Sequence, residues 1–382
     1  MVTDPTSGDE PSSRHRWLSV ALTGVGAAAA IVVFVVQTGP RDPAFEWRSA
    51  TGPPPPINLY SLTETTSGIA VLTGVTSGGV SLWWSADAVT WNEQPLEAAP
   101  SQLATAGDRL VAYRARSGLF LELRGEEWVP TGEVSFPEEV RTRRASGRAS
   151  VVGGSEWLLE MSLFGNLWWT DDGTDFALAL PDPNWGPGVE QPFNSNCTPP
   201  SRSSPDVPPI VMSDLELLAM VSSNPTEPFG VWPVCEPVVW SSPDGLEWAT
   251  TSATIGGPGA YVYDLAVRDG RFLAVGGEGI GEAAIWTSED GVTWDRVDFD
   301  FGSVDIFSVD GGGVGWAILG RDTDTSAPIG WTSADGRCWE PIPAIAGGTD
   351  VVVTDDQVIV IDRRDFPTVW RGEPTGSKGI CS

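Results

Sequence analysis

A nine-residue pattern, W-x-[ST]-x-D-[GA]-x-x-[WF], recurs along the chain and constrains its fold more than any other feature. The five copies contain the aspartates Asp87, Asp172, Asp244, Asp290 and Asp335. A fixed internal repeat is typical of a fold that is assembled from copies of one structural unit. The architecture therefore depends on what this unit is.

Each copy predicts a strand, a tight turn and the start of a second strand. The residues before the aspartate are apolar or aromatic, as in Ala284–Trp286, which suits a half-buried strand. An Asp-Gly pair favours a turn because glycine takes positive φ freely and the carboxylate can accept hydrogen bonds from turn amides. The Ser or Thr two residues earlier can add a further local bond. We therefore predict that the five aspartates are structural, and neither catalytic nor metal-binding.

The pattern resembles the Asp-box, or BNR repeat, of sialidases and other β-propellers. The family form is S-x-D-x-G-x-x-W, whereas here the glycine follows the aspartate directly. The match covers the motifs and their spacing over most of residues 45–375. The resemblance implies a propeller fold. It implies sialidase activity only weakly, because the family's Asp-boxes lie away from its active site.

The spacing of the repeat predicts the number of units. Successive aspartates are 85, 72, 46 and 45 residues apart, and the last two intervals fit one four-stranded propeller blade. The interval of 85 residues is two units, and the eroded stretch Leu119–Trp128 supplies the missing copy. The interval of 72 residues is one unit plus the proline-rich insertion 181–208.

A seventh unit follows the last copy, with strands predicted at Thr349–Asp355, Gln357–Arg363 and Thr368–Gly372. It has three strands of its own, and Phe45–Ser49 is predicted to be its fourth. Such pairing would remove the exposed sheet edges by joining the two ends of the fold. We therefore predict an all-β, seven-bladed β-propeller. Six or eight blades would require the eroded and inserted regions to be counted differently.

Residues 17–36 are twenty uncharged residues, enough at ~1.5 Å per residue to span a ~30 Å hydrocarbon core. Arg14 and Arg16 precede them, which predicts a cytoplasmic amino terminus. A cleaved signal peptide is the alternative, but the small residues Ala27–Ala30 lie in the middle of the segment and not after its apolar core. We favour an uncleaved signal-anchor. The predicted organisation is a tail 1–16, a transmembrane helix 17–36, a linker 37–44, the propeller 45–375 and a tail 376–382.

The 346 residues after the anchor hold 48 acidic and 20 basic side chains, a net charge of −28. This argues against nucleic acid and anionic lipid as partners, since both require a basic surface. The bilayer is expected to contact residues 17–36, and the propeller to lie on the extracytoplasmic side of the cell membrane. The short linker 37–44 predicts that the aspartate turns face the membrane.

All four cysteines follow the anchor, which indicates disulfides. The blade map puts Cys197 and Cys235 on one face of the fourth blade, and Cys338 and Cys381 on the opposite face of the ring. We therefore predict the pairs Cys197–Cys235 and Cys338–Cys381. A zinc site is the alternative, but the sequence has no C-x-x-C spacing and no histidine beyond residue 36.

The sole histidine, His15, precedes the anchor, so histidine-dependent catalysis is excluded from the propeller. Sialidases use three arginines, a Tyr–Glu pair, an aspartic acid and a [FY]-R-I-P motif, which Phe45–Arg48 matches poorly. No catalytic residue is assigned. Asp295, Asp298 and Asp300 could attract calcium but lack the EF-hand pattern, so we expect no metal or other cofactor.

A basic set stands out from the acidic background, in loops predicted on the face opposite the aspartate turns. It comprises Arg114, Arg116, Arg141, Arg143, Arg144, Arg321, Arg363 and Arg364. Guanidinium groups suit carboxylates and phosphates, so these are candidates for binding an anion or an acidic partner. The alternative is that they are solvated and paired with nearby acids such as Glu138 and Asp365.

We interpret the chain as a membrane-anchored binding or scaffold propeller for a protein or glycan at the cell surface. The stapled loops 181–208 and 222–236 are the expected recognition elements. The alternative is a membrane-tethered glycoside hydrolase, which would place paired carboxylates at the mouth of the central channel.

Overall fold

A computed structural model describes residues 44–51, 58–65, 68–74, 80–96, 100, 102–106, 109–114, 119–124, 127–133, 149–153, 158–162, 167–170, 177–179, 210–212, 217–222, 237–243, 249–257, 260–278, 282–342, 348–362 and 368–375. Within these ranges no helix is long and apolar enough to cross a membrane, and the segment 17–36 lies outside them.

The secondary structure of the described residues is all β. In chain order the strands are β1 Phe45–Thr51, β2 Asn58–Thr65, β3 Gly68–Gly74, β4 Val80–Ser85, β5 Asn92–Leu96, β6 Gln102–Ala106, β7 Arg109–Arg114, β8 Leu119–Arg124, β9 Glu127–Glu133, β10 Ala149–Gly153, β11 Leu158–Ser162, β12 Leu167–Thr170, β13 Ala177–Ala179, β14 Ile210–Met212, β15 Leu217–Ser222, β16 Pro237–Ser242, β17 Ala249–Thr254, β18 Tyr261–Arg268, β19 Arg271–Gly277, β20 Ala283–Ser288, β21 Asp295–Arg296, β22 Val304–Gly312, β23 Gly315–Asp322, β24 Pro328–Ser333, β25 Glu340–Pro341, β26 Gly348–Val353, β27 Val358–Asp362 and β28 Thr368–Pro374.

The described strands pair into seven four-stranded antiparallel sheets. We number them in chain order as sheet I (β2–β5), sheet II (β6–β9), sheet III (β10–β13), sheet IV (β14–β17), sheet V (β18–β21), sheet VI (β22–β25) and sheet VII (β26–β28 with β1). The first strand of each sheet, here called its inner strand, contacts the inner strands of the preceding and following sheets, and β26 contacts β2. The inner strands thus form a closed cycle.

Strand β1 closes the fold by pairing with β28, as the sequence predicted for Phe45–Ser49. The antiparallel register runs from Phe45 opposite Pro374 to Thr51 opposite Thr368. At its start the amide of Ala44 donates a hydrogen bond of 2.9 Å to Glu340 Oε2 of sheet VI. Beginning and end of the described chain therefore belong to one sheet, in which β1 is the outer strand and completes the four strands.

The hydrophobic core lies between the facing surfaces of successive sheets. Trp316 of sheet VI, for example, packs with Ile285 of sheet V, and Ile359 of sheet VII packs with Ile69 of sheet I. In sheets I, II, V, VI and VII the described inner strands and their neighbours are rich in buried Val, Ile and Leu, because both faces of the sheet are covered there. This packing fixes the turns at the sheet ends relative to one another.

Candidate functional site

The repeated aspartate organises a turn between the third and fourth strands of its sheet. We call this the aspartate turn, and three copies are described, around Asp87, Asp290 and Asp335. Asp172 and Asp244 lie outside the described residues. The closing tryptophan of the motif is predicted to begin the fourth strand; in each described copy it directly precedes that strand.

The carboxylate of Asp290 shows how the turn is built. Its Oδ1 accepts hydrogen bonds from the amides of Val292 at 2.8 Å and Thr293 at 2.7 Å, and from Ser288 Oγ at 3.0 Å. The amide of Gly291 donates to Ser288 Oγ at 2.8 Å. The acceptor atoms of the motif are thus engaged by the turn itself, which supports a structural role for this aspartate.

The other two described turns repeat this arrangement. Asp87 Oδ1 accepts from the amides of Val89 and Thr90 at 2.8 and 2.7 Å. Asp335 Oδ1 accepts from the amides of Arg337 and Cys338, both at 2.9 Å. The residue after the aspartate has positive φ in all three, 55° at Ala88, 68° at Gly291 and 74° at Gly336.

These hydrogen bonds hold the carboxylates in their ionised form. The amides of Thr90 and Val89 lower the pKa of Asp87 to about 2, and those of Thr293 and Val292 do the same for Asp290. Burial would raise the pKa of Asp335, but the amides of Cys338 and Arg337 outweigh it, and this pKa is also lowered. Such carboxylates are poor proton donors near neutral pH.

A second set of carboxylates links the inner strands, and sequence reasoning missed it. Asp264 accepts hydrogen bonds of 2.9 Å from its neighbour Leu265 and from Val309 of the next sheet. Asp310 likewise accepts from Gly311 at 2.9 Å and from Val353 of the next sheet at 2.7 Å. Each side chain therefore bridges two successive inner strands.

One of these two positions recurs in other inner strands. The inner strands β2, β18, β22 and β26 each contain one bulged residue, at positions 60, 263, 307 and 349. In every case a polar residue follows, namely Ser61, Asp264, Ser308 or Asp350. Ser61 Oγ accepts from the amide of Leu103 of sheet II at 3.0 Å, which is the same link as that of Asp264. Asp310 lies two residues further along its strand.

Burial changes the acidity of both bridging carboxyls. It raises the pKa of Asp264 to about 6, and raises the pKa of Asp310 to about 7 with help from the negative charges of Glu64 and Asp264. Ionising these two carboxyls in the folded protein costs free energy, so their ionisation lowers the free energy of unfolding at neutral pH.

We expect the free energy of unfolding to be greatest near pH 4. The raised pKa values of Asp264 and Asp310 give stability that is complete below 3.8 and lost as pH rises through about 6 and 7. The lowered pKa values of Asp87 and Asp290 give stability that is present above 3.8 and lost as pH falls through about 2. Between pH 4 and 8 the loss should be on the order of several kcal/mol, because each unit by which a pKa is raised corresponds to ~1.4 kcal/mol.

Urea unfolding followed by tryptophan fluorescence from pH 3 to 8 measures this profile. Asp310→Asn removes one titrating group and should flatten the profile between pH 5 and 8, even if it lowers stability overall. A free energy of unfolding that rises steadily from pH 4 to pH 8 in the parent chain would contradict the assignment.

Arginines join sheets V and VI on the aspartate-turn side. Arg268 donates to the carbonyl oxygens of Gly313 at 2.8 Å and Ala334 at 3.0 Å, and Arg271 donates to that of Asp335 at 3.0 Å. The guanidinium groups therefore donate hydrogen bonds to carbonyls of two turns of sheet VI, its first hairpin turn and its aspartate turn.

We expect Arg268→Ala to lower the free energy of unfolding by about 1–3 kcal/mol, because two carbonyls lose a charged donor. Arg296→Ala is the matched control: its guanidinium pairs with Glu278 at 3.0 Å in a more exposed position and should contribute less than about 1 kcal/mol. Equal losses in urea unfolding of the two variants would show that Arg268 does not join the sheets.

A cavity of about 210 Å³ lies between sheets VII and I, also on the aspartate-turn side. Its lining includes Glu64, Asp355 and Asp356. Partial desolvation of the Glu64 carboxyl, together with the charges of Asp355 and Asp356, raises its pKa to about 7, although the residue as a whole is exposed. This concentration of negative charge favours a cation.

Among the predicted anion-binding arginines, the structure describes two. Arg114 ends β7 and Arg321 lies near the end of β23, each at the end of the second strand of its sheet, away from the aspartate turn. The others, Arg116, Arg141, Arg143, Arg144, Arg363 and Arg364, lie outside the described residues, as do most of the loops 181–208 and 222–236. The predicted cluster is therefore not assembled within the described part of the chain.

Of the cysteines, the structure describes Cys338, which is disulfide-bonded. Cys197, Cys235 and Cys381 lie outside the described residues, so both predicted pairings stay predictions. Asp295, Asp298 and Asp300 are exposed. In the described ranges no group of three or more His, Cys, Asp or Glu side chains is placed to hold a metal ion.

No protein-family model and no curated protein matches the sequence. Among solved structures, virginiamycin B lyase from Staphylococcus aureus superimposes with a TM-score of 0.56 at 11% identity, covering 86% of this chain and 99% of the lyase. A GH74 xyloglucanase from Xanthomonas campestris gives 0.51 at 16% identity, covering 87% of this chain and 54% of the xyloglucanase. At these identities the likeness concerns the fold alone. Together with the cycle of sheets, it defines the chain as a β-propeller protein.

Proposed function

We propose that this chain is a seven-bladed β-propeller of the Asp-box type that acts as a binding scaffold on the outer side of the cell membrane. The observation that most supports this is the role of the repeated aspartates, since the carboxylate of each described copy accepts hydrogen bonds from the amides of its own turn. The recurring polar residues build a rigid frame. Recognition is then left to segments that differ from blade to blade.

The recognition elements in this proposal are the insertion 181–208 and the loop 222–236, opposite the aspartate turns. Their partner is a protein or a glycan at the cell surface. The arginines from Arg114 to Arg364 named above add a basic patch for an acidic partner. Residues 17–36 anchor the chain in the bilayer, and the aspartate turns face the membrane.

Two disulfides belong to the same proposal. Cys338 pairs with Cys381 and fixes the carboxyl-terminal tail to sheet VI, while Cys197 pairs with Cys235 and staples the two recognition loops together. A staple of this kind preorganises a binding surface by reducing the conformational freedom that binding would otherwise remove.

Turnover measurements on the purified full-length chain test the scaffold proposal against a glycoside hydrolase. The panel is a set of fluorogenic glycosides, including sialosides, with and without calcium. The scaffold proposal predicts no turnover by a folded, disulfide-intact protein. The scaffold proposal would be rejected, and an enzyme identified, by turnover that disappears when a carboxylate is replaced on the face opposite the aspartate turns.

Loop exchange tests the recognition elements directly. Replacing residues 181–208 by a Gly-Ser segment of the same length that keeps Cys197, and with it the proposed disulfide, should abolish binding to cell-surface material in a pull-down without changing the urea unfolding midpoint. Exchanging the aspartate turn 87–90 for the sequence of 290–293 is the matched control and should leave binding intact. Binding that survives the loop replacement would place recognition elsewhere.

A further inference from the structure

The cavity between sheets VII and I can be compared with the equivalent places between other sheets. It is bounded by the first hairpin turn of sheet VII, Thr354–Gln357, by Glu64 and Thr65 at the end of β2, and by Ser85, Ala86 and Ala88 of the first aspartate turn. None of the described residues that line it is a lysine or an arginine.

Strand register establishes which residues are equivalent. In sheet V the first hairpin is closed by the pair Arg268 and Arg271. In sheet VII the same place is taken by Thr354 and Gln357, whose backbones are joined by a hydrogen bond of 2.9 Å. Thr354 and Gln357 therefore stand where sheet V carries its two arginines.

The surfaces that face these hairpins are equivalent as well. Gly68 of sheet I and Gly315 of sheet VI open the second strand at φ values of 138° and 151°. An added Cβ at either glycine would meet the carbonyl oxygen of the aligned serine, Ser85 or Ser333. The carbonyls of Ala334 and Asp335, which Arg268 and Arg271 engage, thus correspond to those of Ala86 and Asp87 beside the cavity.

Between sheets VI and VII the same space is closed by backbone contact. The first hairpin of sheet VI carries Gly312 and Gly313, and an added Cβ on Gly313 would lie 2.6 Å from Asp355 Oδ1. The amide of Val314 donates to the carbonyl of Thr354 at 3.3 Å. Of these three described junctions, one is filled by guanidinium groups, one by backbone, and the one between sheets VII and I holds the cavity.

Among its described residues, the lining of the cavity carries carboxylates and no cation of its own. The guanidinium of Arg371 donates to Gln357 Oε1 at 2.9 Å from outside the lining, and it is also paired with Glu373 at 2.9 Å. Asp355 takes the place of Asp269, whose carboxylate lies 3.3 Å from Arg268 Nε. Glu64 is paired with Ile69 as Gly311 is paired with Trp316, so Glu64 takes the place of Gly311. The stem of Arg268 packs next to Gly311. The junction thus keeps the acceptors that surround a guanidinium in sheet V and adds another carboxylate.

We propose that this cavity binds the guanidinium group of an arginine side chain presented by a partner protein. The planar fork of donors would meet the carboxylates of Glu64 and Asp355 and the carbonyls of the first aspartate turn. This site is on the aspartate-turn side of the propeller. It does not depend on the recognition loops proposed above, and the two proposals fail separately.

Calorimetric titration of the full-length chain with N-acetyl-L-arginine amide tests the site. We expect saturable binding of one molecule with a dissociation constant of about 1 mM or below. Urea, which has a similar shape but no charge, should give no saturable signal at the same concentrations. Glu64→Gln should weaken binding at least about tenfold, whereas Glu127→Gln, an exposed carboxylate of sheet II, should leave it unchanged.

Thr354→Arg supplies the guanidinium from within the chain. It should abolish binding of the arginine amide and raise the urea midpoint, as we expect Arg268 to do between sheets V and VI. Absence of saturable binding to the parent chain would overturn the proposal. So would binding that is unaffected by Glu64→Gln and by Thr354→Arg.

Discussion

Phe45→Ala is expected to lower the free energy of unfolding by about 3–5 kcal/mol, because it removes a buried aromatic ring from the closing strand. Phe45 is 4% exposed and packs with Leu319 of sheet VI and with Val351 and Val360 of sheet VII. The ring therefore ties the first described strand to the last two sheets. Urea unfolding followed by tryptophan fluorescence measures the loss.

Glu46→Ala is the control for this prediction, since Glu46 is on the same strand but its side chain is 62% exposed. Its replacement should change the free energy of unfolding by less than about 0.5 kcal/mol. Similar effects of the two substitutions would mean that the first strand does not close the folded protein.

Asp290→Ala is expected to lower the free energy of unfolding by about 2–3 kcal/mol, because two amides and two hydroxyls of the turn lose a charged acceptor. Asp290→Asn keeps one acceptor oxygen and should have about half this effect. The measurement is urea unfolding at pH 6, where the carboxylate of the parent chain is ionised.

Two comparisons make the assignment of Asp290 specific. Asp298→Ala removes an exposed carboxylate a few residues away and should change stability by less than about 0.5 kcal/mol. The difference between the parent chain and Asp290→Ala should shrink as pH falls through about 2, the pKa of Asp290. A difference that does not depend on pH would show that the charge of the carboxylate plays no part.

The parts of the fold that the sequence predicts depend on local chemistry. The aspartate turn can be recognised because Asp, Gly and Ser act within a few residues of one another, and the described turns have the expected bonds. The eroded copy at Leu119–Trp128 forms the β8–β9 hairpin, since the alternation of its strands survives although the aspartate is lost. The pairing of Phe45–Ser49 followed from counting strands, and the observed strand extends two residues further, to Thr51.

The links between sheets could not be predicted in the same way. Asp264 bonds to Val309 and Arg268 to Ala334, partners that are 45 and 66 residues away. Their proximity follows from the packing of successive sheets, which the repeat does not specify residue by residue. The cavity beside Glu64 has a similar origin, because it depends on which side chains replace Arg268 and Arg271 in another sheet.

Crosslinking of Glu46→Cys with Glu373→Cys tests most directly the central claim that the chain closes into a ring through its first described strand. These residues lie opposite each other in the pairing of β1 with β28. The closed ring predicts that the double variant forms a new disulfide under mild oxidation of the folded protein, and that this bond raises the urea midpoint. Two free thiols at these positions in the folded, oxidised protein would contradict it.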